Sequence, residues 1–122
     1  MQFAEFKKKF DPIFAGRVAE RIAGAKNLVQ HGRIAQLLDQ TQKIALNGGK
    51  RSRPLVLALS FWASGGVAEE EILEFGVVVE LLHTMALIHD DIIDHAPRRH
   101  GEATAHFWGK EEIYGDEKWN VS

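Results

Sequence analysis

Cysteine is missing altogether. That absence excludes disulfides, thiolate metal sites and a cysteine nucleophile, and it fits a reducing compartment. Proline is scarce, limited to Pro12, Pro54 and Pro97, which leaves room for long helices. Neither charge dominates, and the formal net charge is -2. A nucleic-acid partner is therefore not expected, since such a partner selects a strongly basic surface. Long hydrophobic runs are lacking too: the longest apolar stretch, 54–63, is interrupted by Ser60 and is far too short for a bilayer. The opening MQFAEFKKKF has no apolar centre of the kind a signal peptide needs. These features together point to a soluble, cytoplasmic protein without a membrane span. The 122 residues suffice for one domain and not for two.

What is present is helical periodicity. Phe3, Phe6 and Phe10 recur at spacings of three and four, one face of a helix over 2–10. Asp11-Pro12 either ends that helix or caps the next one. Apolar side chains at 14, 18, 22 and 25 carry a helix over 13–25. Ile34, Leu37, Leu38, Ile44, Ala45 and Leu46 mark another over 33–46, which Asn47-Gly48-Gly49 breaks. Further helices are expected over 52–63 and 68–94, separated by Ser64-Gly65-Gly66. Glu69, Glu70 and Glu71 suit the N-terminus of the longer one. Its apolar middle, Val77 to Leu82, predicts a helix buried on most sides. Pro97 stops it, and irregular structure with at most a short helix near 103–108 is expected beyond. The fold class is all-α, an antiparallel helical bundle forming a single helical domain across 1–122.

The chemistry gathers late in the long helix, in ELLHTMALIHDDIID. At about 100° per residue, Asp90 and Asp94 share a face, His83 lies on nearly the same line, and Asp91 is a quarter-turn round. The carboxylates repel one another at i and i+4 and oppose the dipole at a helix C-terminus. A cation that neutralises them gives the cluster a purpose. Oxygen ligands suit a hard ion, magnesium before calcium, which binds through one or two carboxylates plus substrate phosphates. The competing reading is a solvated acidic helix end. A second feature, GGKRSRP at 48–54, sets three cations behind two glycines at a helix start, an arrangement suited to anions. Alone, it reads equally well as a solvated basic loop. The third, Arg98-Arg99-His100-Gly101, follows the acidic end and in isolation suggests simple salt bridges.

Taken together, GGKRSRP, ELLHTMALIHDDIID and RRHGEATAH resemble the trans-isoprenyl diphosphate synthases, or polyprenyl synthetases, over residues 13–108. The resemblance implies the front part of the isoprenoid synthase fold and a prenyltransferase reaction. In that reaction magnesium assists ionisation of an allylic diphosphate, isopentenyl diphosphate attacks the carbocation, and a proton is lost. By resemblance, Asp90, Asp91 and Asp94 form the first aspartate-rich motif, with Asp90 and Asp94 as the main Mg2+ ligands. Lys50, Arg53 and His83 match the positions that hold isopentenyl diphosphate. Arg99 matches the arginine that contacts the allylic diphosphate, and His100 stands where a second arginine commonly sits. Met85 and Ala86 occupy the positions that set product length. Neither is aromatic, and Ala86 lies about 40° from Asp90 on the helical wheel, which favours a geranylgeranyl or longer product.

The family's second aspartate-rich motif has no counterpart, since Glu111, Glu112, Asp116 and Glu117 lack its spacing. Trp119 to Ser122 end without a stop signal, as though the chain were cut inside a loop. The expectation is an incomplete synthase domain that hides its apolar surface by homo-oligomerisation or against a partner subunit. Two other classes fit parts of the sequence. A non-catalytic helical subunit or interaction module suits the missing half. An HD-type metal phosphohydrolase would use His89-Asp90 but leaves GGKRSRP unexplained.

Overall fold

The computed structural model describes residues 3–99 and 101–113. His100, Asp116, Glu117 and the terminal 119–122, all named above, lie outside those residues. Four long helices come first: α1 (Phe3–Leu28), α2 (Gly32–Leu46), α3 (Ser52–Ala63) and α4 (Glu69–Ile93). A two-stranded antiparallel hairpin follows, β1 (Arg98–Arg99) and β2 (Glu102–Ala103), then a single turn α5 (Ala105–Trp108) and a π-helical turn over Gly109–Ile113. The class is all-α, as the periodicity predicts. The hairpin is a correction to the irregular segment expected there. Gly101, at φ 79°, supplies the left-handed turn residue that lets the strands reverse.

The break expected at Asp11-Pro12 does not occur, and α1 runs through it. Pro12 removes one helical hydrogen bond and would cost a helix about 3 kcal/mol in isolation. Packing on both sides overrides it. Phe6, Phe10, Phe14 and Val18 are buried at four-residue spacing, and the three rings stack with centroids 5.6 and 5.7 Å apart. Phe3, expected on the same face, lies outside the core. This ladder meets Ala45 from α2, Ala58 from α3, and Ile72, Leu73 and Val77 from α4. Gly76 permits the close approach: a Cβ there would lie 3.0 Å from the Phe10 ring and 3.2 Å from Pro54.

The prediction that α4 is buried on most sides is wrong. One face, with Ile72, Leu73, Gly76, Val77, Glu80, Thr84 and Asp91, is covered by the other helices. The opposite face leaves Phe75, Val78, Leu82, Met85 and Ile93 at least half exposed. Three partner helices cover only one side of a helix, and no described residue covers the other. By length and composition α4 alone among the described helices could cross a bilayer, but a core helix passes the same test.

The connection from α2 to α3 is anchored by Arg51, which is buried. Its Nη1 donates to Glu80 Oε1 at 2.8 Å and its Nε to Asp11 Oδ1 at 2.9 Å, while the guanidinium lies 4.6 Å from the centroid of the Phe14 ring. Lys7 also donates to Asp11, at 2.9 Å. Burial works to raise the Asp11 pKa, but the hydrogen bonds from Arg51 and Lys7, with the charges behind them, outweigh it and hold the carboxyl below its ordinary 3.8.

Two outcomes follow for stability. Phe10→Ala opens a cavity at the centre of the ladder and is expected to cost about 3–5 kcal/mol, read from the denaturant midpoint. A depressed carboxyl contributes stability that is complete above its unfolded value and is lost as pH falls through the lower folded value. The native chain should therefore lose stability as pH drops below 3.8. Asp11→Asn should be less stable at neutral pH and lose less on acidification; parallel acid curves for the two proteins would contradict the assignment.

Candidate functional site

A cleft of about 540 Å³ opens between the α2–α3 connection, the start of α3, α4 and the hairpin. Its walls include Lys50, Arg53, His83, Asp91 and Arg99, residues from all three sequence features. Local chemistry explains how they meet. The Asn47 N–H closes α2 on the Ile44 carbonyl at 3.3 Å, and Gly48 and Gly49 then take φ of 81° and 137°, values that side chains resist. Arg51 adopts the left-handed conformation at φ 56° and caps the start of α3. Pro54 sits in the first turn of α3, where no helical N–H is required of it.

Arg53 and His83, thirty residues apart, meet at 3.2 Å between Nη1 and Nε2. A guanidinium has donors only, so Nε2 accepts and the ring proton of His83 sits on Nδ1. Lys50 is exposed on the same wall. The two cations and the free N–H groups at the start of α3 together favour an anion.

At the C-terminal end of α4 the three aspartates divide, and of the three Asp91 alone lines the cleft. Asp91 points inward and is buried, and Arg99 clasps it through Nε at 3.0 and 3.1 Å and Nη2 at 2.7 Å. This bond, opposed by partial burial and reinforced by the fields of Asp91, Asp90 and Asp94, raises the Arg99 pKa. Asp90 and Asp94 are exposed one turn apart, and Asp94 caps α4 by donating its N–H to the Asp90 carbonyl at 2.9 Å. Among the described residues no three His, Cys, Asp or Glu side chains gather closely enough to hold a metal by themselves. Two exposed carboxylates are nevertheless the donor set that magnesium uses when substrate phosphates complete its shell.

Thr104 fixes the hairpin beneath the helix end. It is buried, its hydroxyl donates to the Ala96 carbonyl at 2.7 Å, and its N–H to that of Pro97 at 3.0 Å. Its hydroxyl also lies 3.3 Å from Nδ1 of His106, whose pKa is lowered by burial and by nearby His95, against a raising effect of Asp91.

The product-length positions lie elsewhere. Met85 borders a separate apolar groove of about 210 Å³ with Val18, Ile22, Leu81 and Ile88, and Ala86 is exposed. Neither lines the cleft. His89 borders the same groove, away from the residues that line the cleft. The sequence reading missed Arg51 as an anchor, Glu80 as its partner, and Thr104. A carboxylate inside the apolar run of α4 was the available signal for Glu80, since such a group needs a buried cation.

The family model for polyprenyl synthetase matches residues 34–117. Among curated proteins, the chain is similar to the all-trans-nonaprenyl-diphosphate synthase (geranyl-diphosphate specific) of Rhodobacter capsulatus, at 30% identity over 91 residues, 72% of this chain and 28% of that one. The geranylgeranyl diphosphate synthase of Sulfolobus acidocaldarius is 39% identical over 75 residues, 62% of this chain and 22% of the relative. The short chain isoprenyl diphosphate synthase of Methanothermobacter thermautotrophicus is 39% identical over 111 residues, 90% of this chain and 32% of the relative. The chain thus spans less than a third of the length of these relatives. No solved structure matches it. A match running from the second helix past the aspartates and through the turns beyond, more than half of the sequence, makes this chain a member of the polyprenyl synthetase family.

Proposed function

We propose that the protein contributes to prenyl transfer, condensing isopentenyl diphosphate with an allylic diphosphate. One observation carries the reading: Lys50, Arg53, His83 and Arg99 converge on a single cleft that Asp91 also lines, and Asp91 sits on the helix end that carries Asp90 and Asp94. Lys50 and Arg53 bind the diphosphate of isopentenyl diphosphate, the lysine as a point charge and the arginine as a fork. His83 orients the Arg53 guanidinium through its Nε2 lone pair. Arg99, held by Asp91, faces the allylic diphosphate and stabilises the charge that builds as the carbon–oxygen bond breaks. The new carbon–carbon bond forms from the isopentenyl double bond, and a proton leaves the isopentenyl unit. Mg2+ held by Asp90 and Asp94 would supply Lewis-acid neutralisation of the departing diphosphate. Relatives named for geranyl-diphosphate specificity or for geranylgeranyl diphosphate synthesis support an allylic diphosphate substrate.

The exposed side of α4 supports association with another subunit, a second copy of this chain foremost. Phe75, Val78, Leu82 and Met85 are each at least half exposed along one side of α4, and an exposed apolar row of that kind marks interaction surfaces.

Calorimetric titration tests the site. Lys50→Ala and Arg53→Ala should each weaken isopentenyl diphosphate binding by about tenfold or more, in line with the loss of one charge-assisted hydrogen bond. Asp90→Ala and Asp94→Ala should remove the Mg2+-dependent part of allylic diphosphate binding and leave isopentenyl diphosphate untouched. Binding that ignores all four substitutions would remove the reading. Light scattering tests association: the native chain should exceed a monomer's mass and Leu82→Glu should restore it, whereas a monomeric native chain would refute self-association.

A further inference from the structure

GGKRSRP carries three cations, and the anion-binding reading uses two. Lys50 and Arg53 are exposed, whereas Arg51 between them is turned inward and is 6% exposed. Its backbone is left-handed, at φ 56° and ψ 30°, which costs a residue with a Cβ about 1–2 kcal/mol. Glycine would occupy that position without strain. The arginine side chain offsets the strain through three contacts on two helices: Glu80 on α4, and Asp11 and the face of Phe14 on α1.

The Glu80 bond matters most for the cleft. Glu80 is 4% exposed and lies three residues before His83, one turn along α4. The pair therefore ties the connection bearing Lys50, and the start of α3 bearing Arg53, to the helix turn bearing His83. The loop backbone rests directly on the pair, since a Cβ at Gly49 would lie 3.2 Å from Arg51 Nη1 and 3.7 Å from Glu80 Oε1. Arg51 faces two carboxylates, so its own charge is already compensated and does not serve the anion. A buried ion pair is also a poor source of stability, because apolar residues of similar volume often do as well. What apolar residues cannot supply is a directional bond that fixes one element against another.

We propose that Arg51 and Glu80 are positioning residues that set the separation of Lys50, Arg53 and His83 and so their grip on a diphosphate. The proposal rests on the diphosphate-binding reading for its function, but its geometric half has an independent readout. In the native chain the Arg53 bond holds the His83 proton on Nδ1. Release of α3 from α4 breaks that bond and lets the proton move to Nε2.

The test compares the native chain with Arg51→Met/Glu80→Leu, which keeps the core filled, and with the near-isosteric Glu80→Gln should the double variant not fold. Circular dichroism establishes folding. Nitrogen-15 NMR at pH 8 reads the His83 tautomer, and titration with inorganic pyrophosphate at fixed ionic strength reads affinity. The expected result is a folded variant with His83 shifted to the Nε2–H form and pyrophosphate bound about tenfold more weakly for the double variant and about threefold for Glu80→Gln. In a Lys50→Ala/Arg53→Ala background the same change should alter affinity by less than about twofold, since it acts through those two cations. A folded variant with an unchanged tautomer and affinity would overturn the proposal. If the native chain binds no pyrophosphate while the tautomer still shifts, the diphosphate reading falls and the positioning role stands.

Discussion

Arg51 and Glu80, both buried, meet at 2.8 Å, and the arrangement of the cleft depends on that meeting. Helix packing alone brings α1, α3 and α4 together through phenylalanine, alanine and valine, which are tolerant of small slides. A charged hydrogen bond is not tolerant in that way, because either partner left alone in the interior is strongly unfavourable. The pair thus turns a permissive core into one with a defined register. It also explains why a left-handed arginine persists next to two glycines that adopt positive φ without strain.

The same logic recurs at the other edge of the cleft. Asp91 is buried and Arg99 satisfies it, so the short hairpin is held to the end of α4 by an ion pair instead of by sheet area. Two strands of two residues have almost no stability of their own. Thr104 adds two hydrogen bonds to the carbonyls at 96 and 97 and closes the hairpin from below. Each of these contacts therefore turns one charged side chain inward while its neighbours stay exposed: Lys50 and Arg53 beside Arg51, Asp90 and Asp94 beside Asp91.

The helices and both outward sets were legible in the sequence, since side-chain period and charge type are local properties. Asp90 and Asp94 fall on one face simply because they are one turn apart, and Lys50 and Arg53 stand at a helix start because two glycines precede them. What was not legible is long-range. Pro12 reads as a break until Phe10 and Phe14 are seen fully enclosed on either side of it. Val77 to Leu82 reads as uniformly buried because hydrophobicity reports preference for burial and not the number of neighbours available. Arg51 and Arg53 are the same residue type two positions apart, and the distant Glu80, Asp11 and Phe14 hold the first of them inward.

The continuity of α4 has a consequence for the chemistry. His83 and Asp90 lie on one unbroken rod, seven residues apart, so the rise of a helix sets their axial offset at about 10 Å. That offset is a covalent yardstick between the imidazole that meets Arg53 and the carboxylates at the helix end. No hinge lies between them, so neither end can be retuned by bending. Adding or deleting a single residue in that interval would swing the acidic tip by about 100° relative to His83, with every side chain still present in the chain.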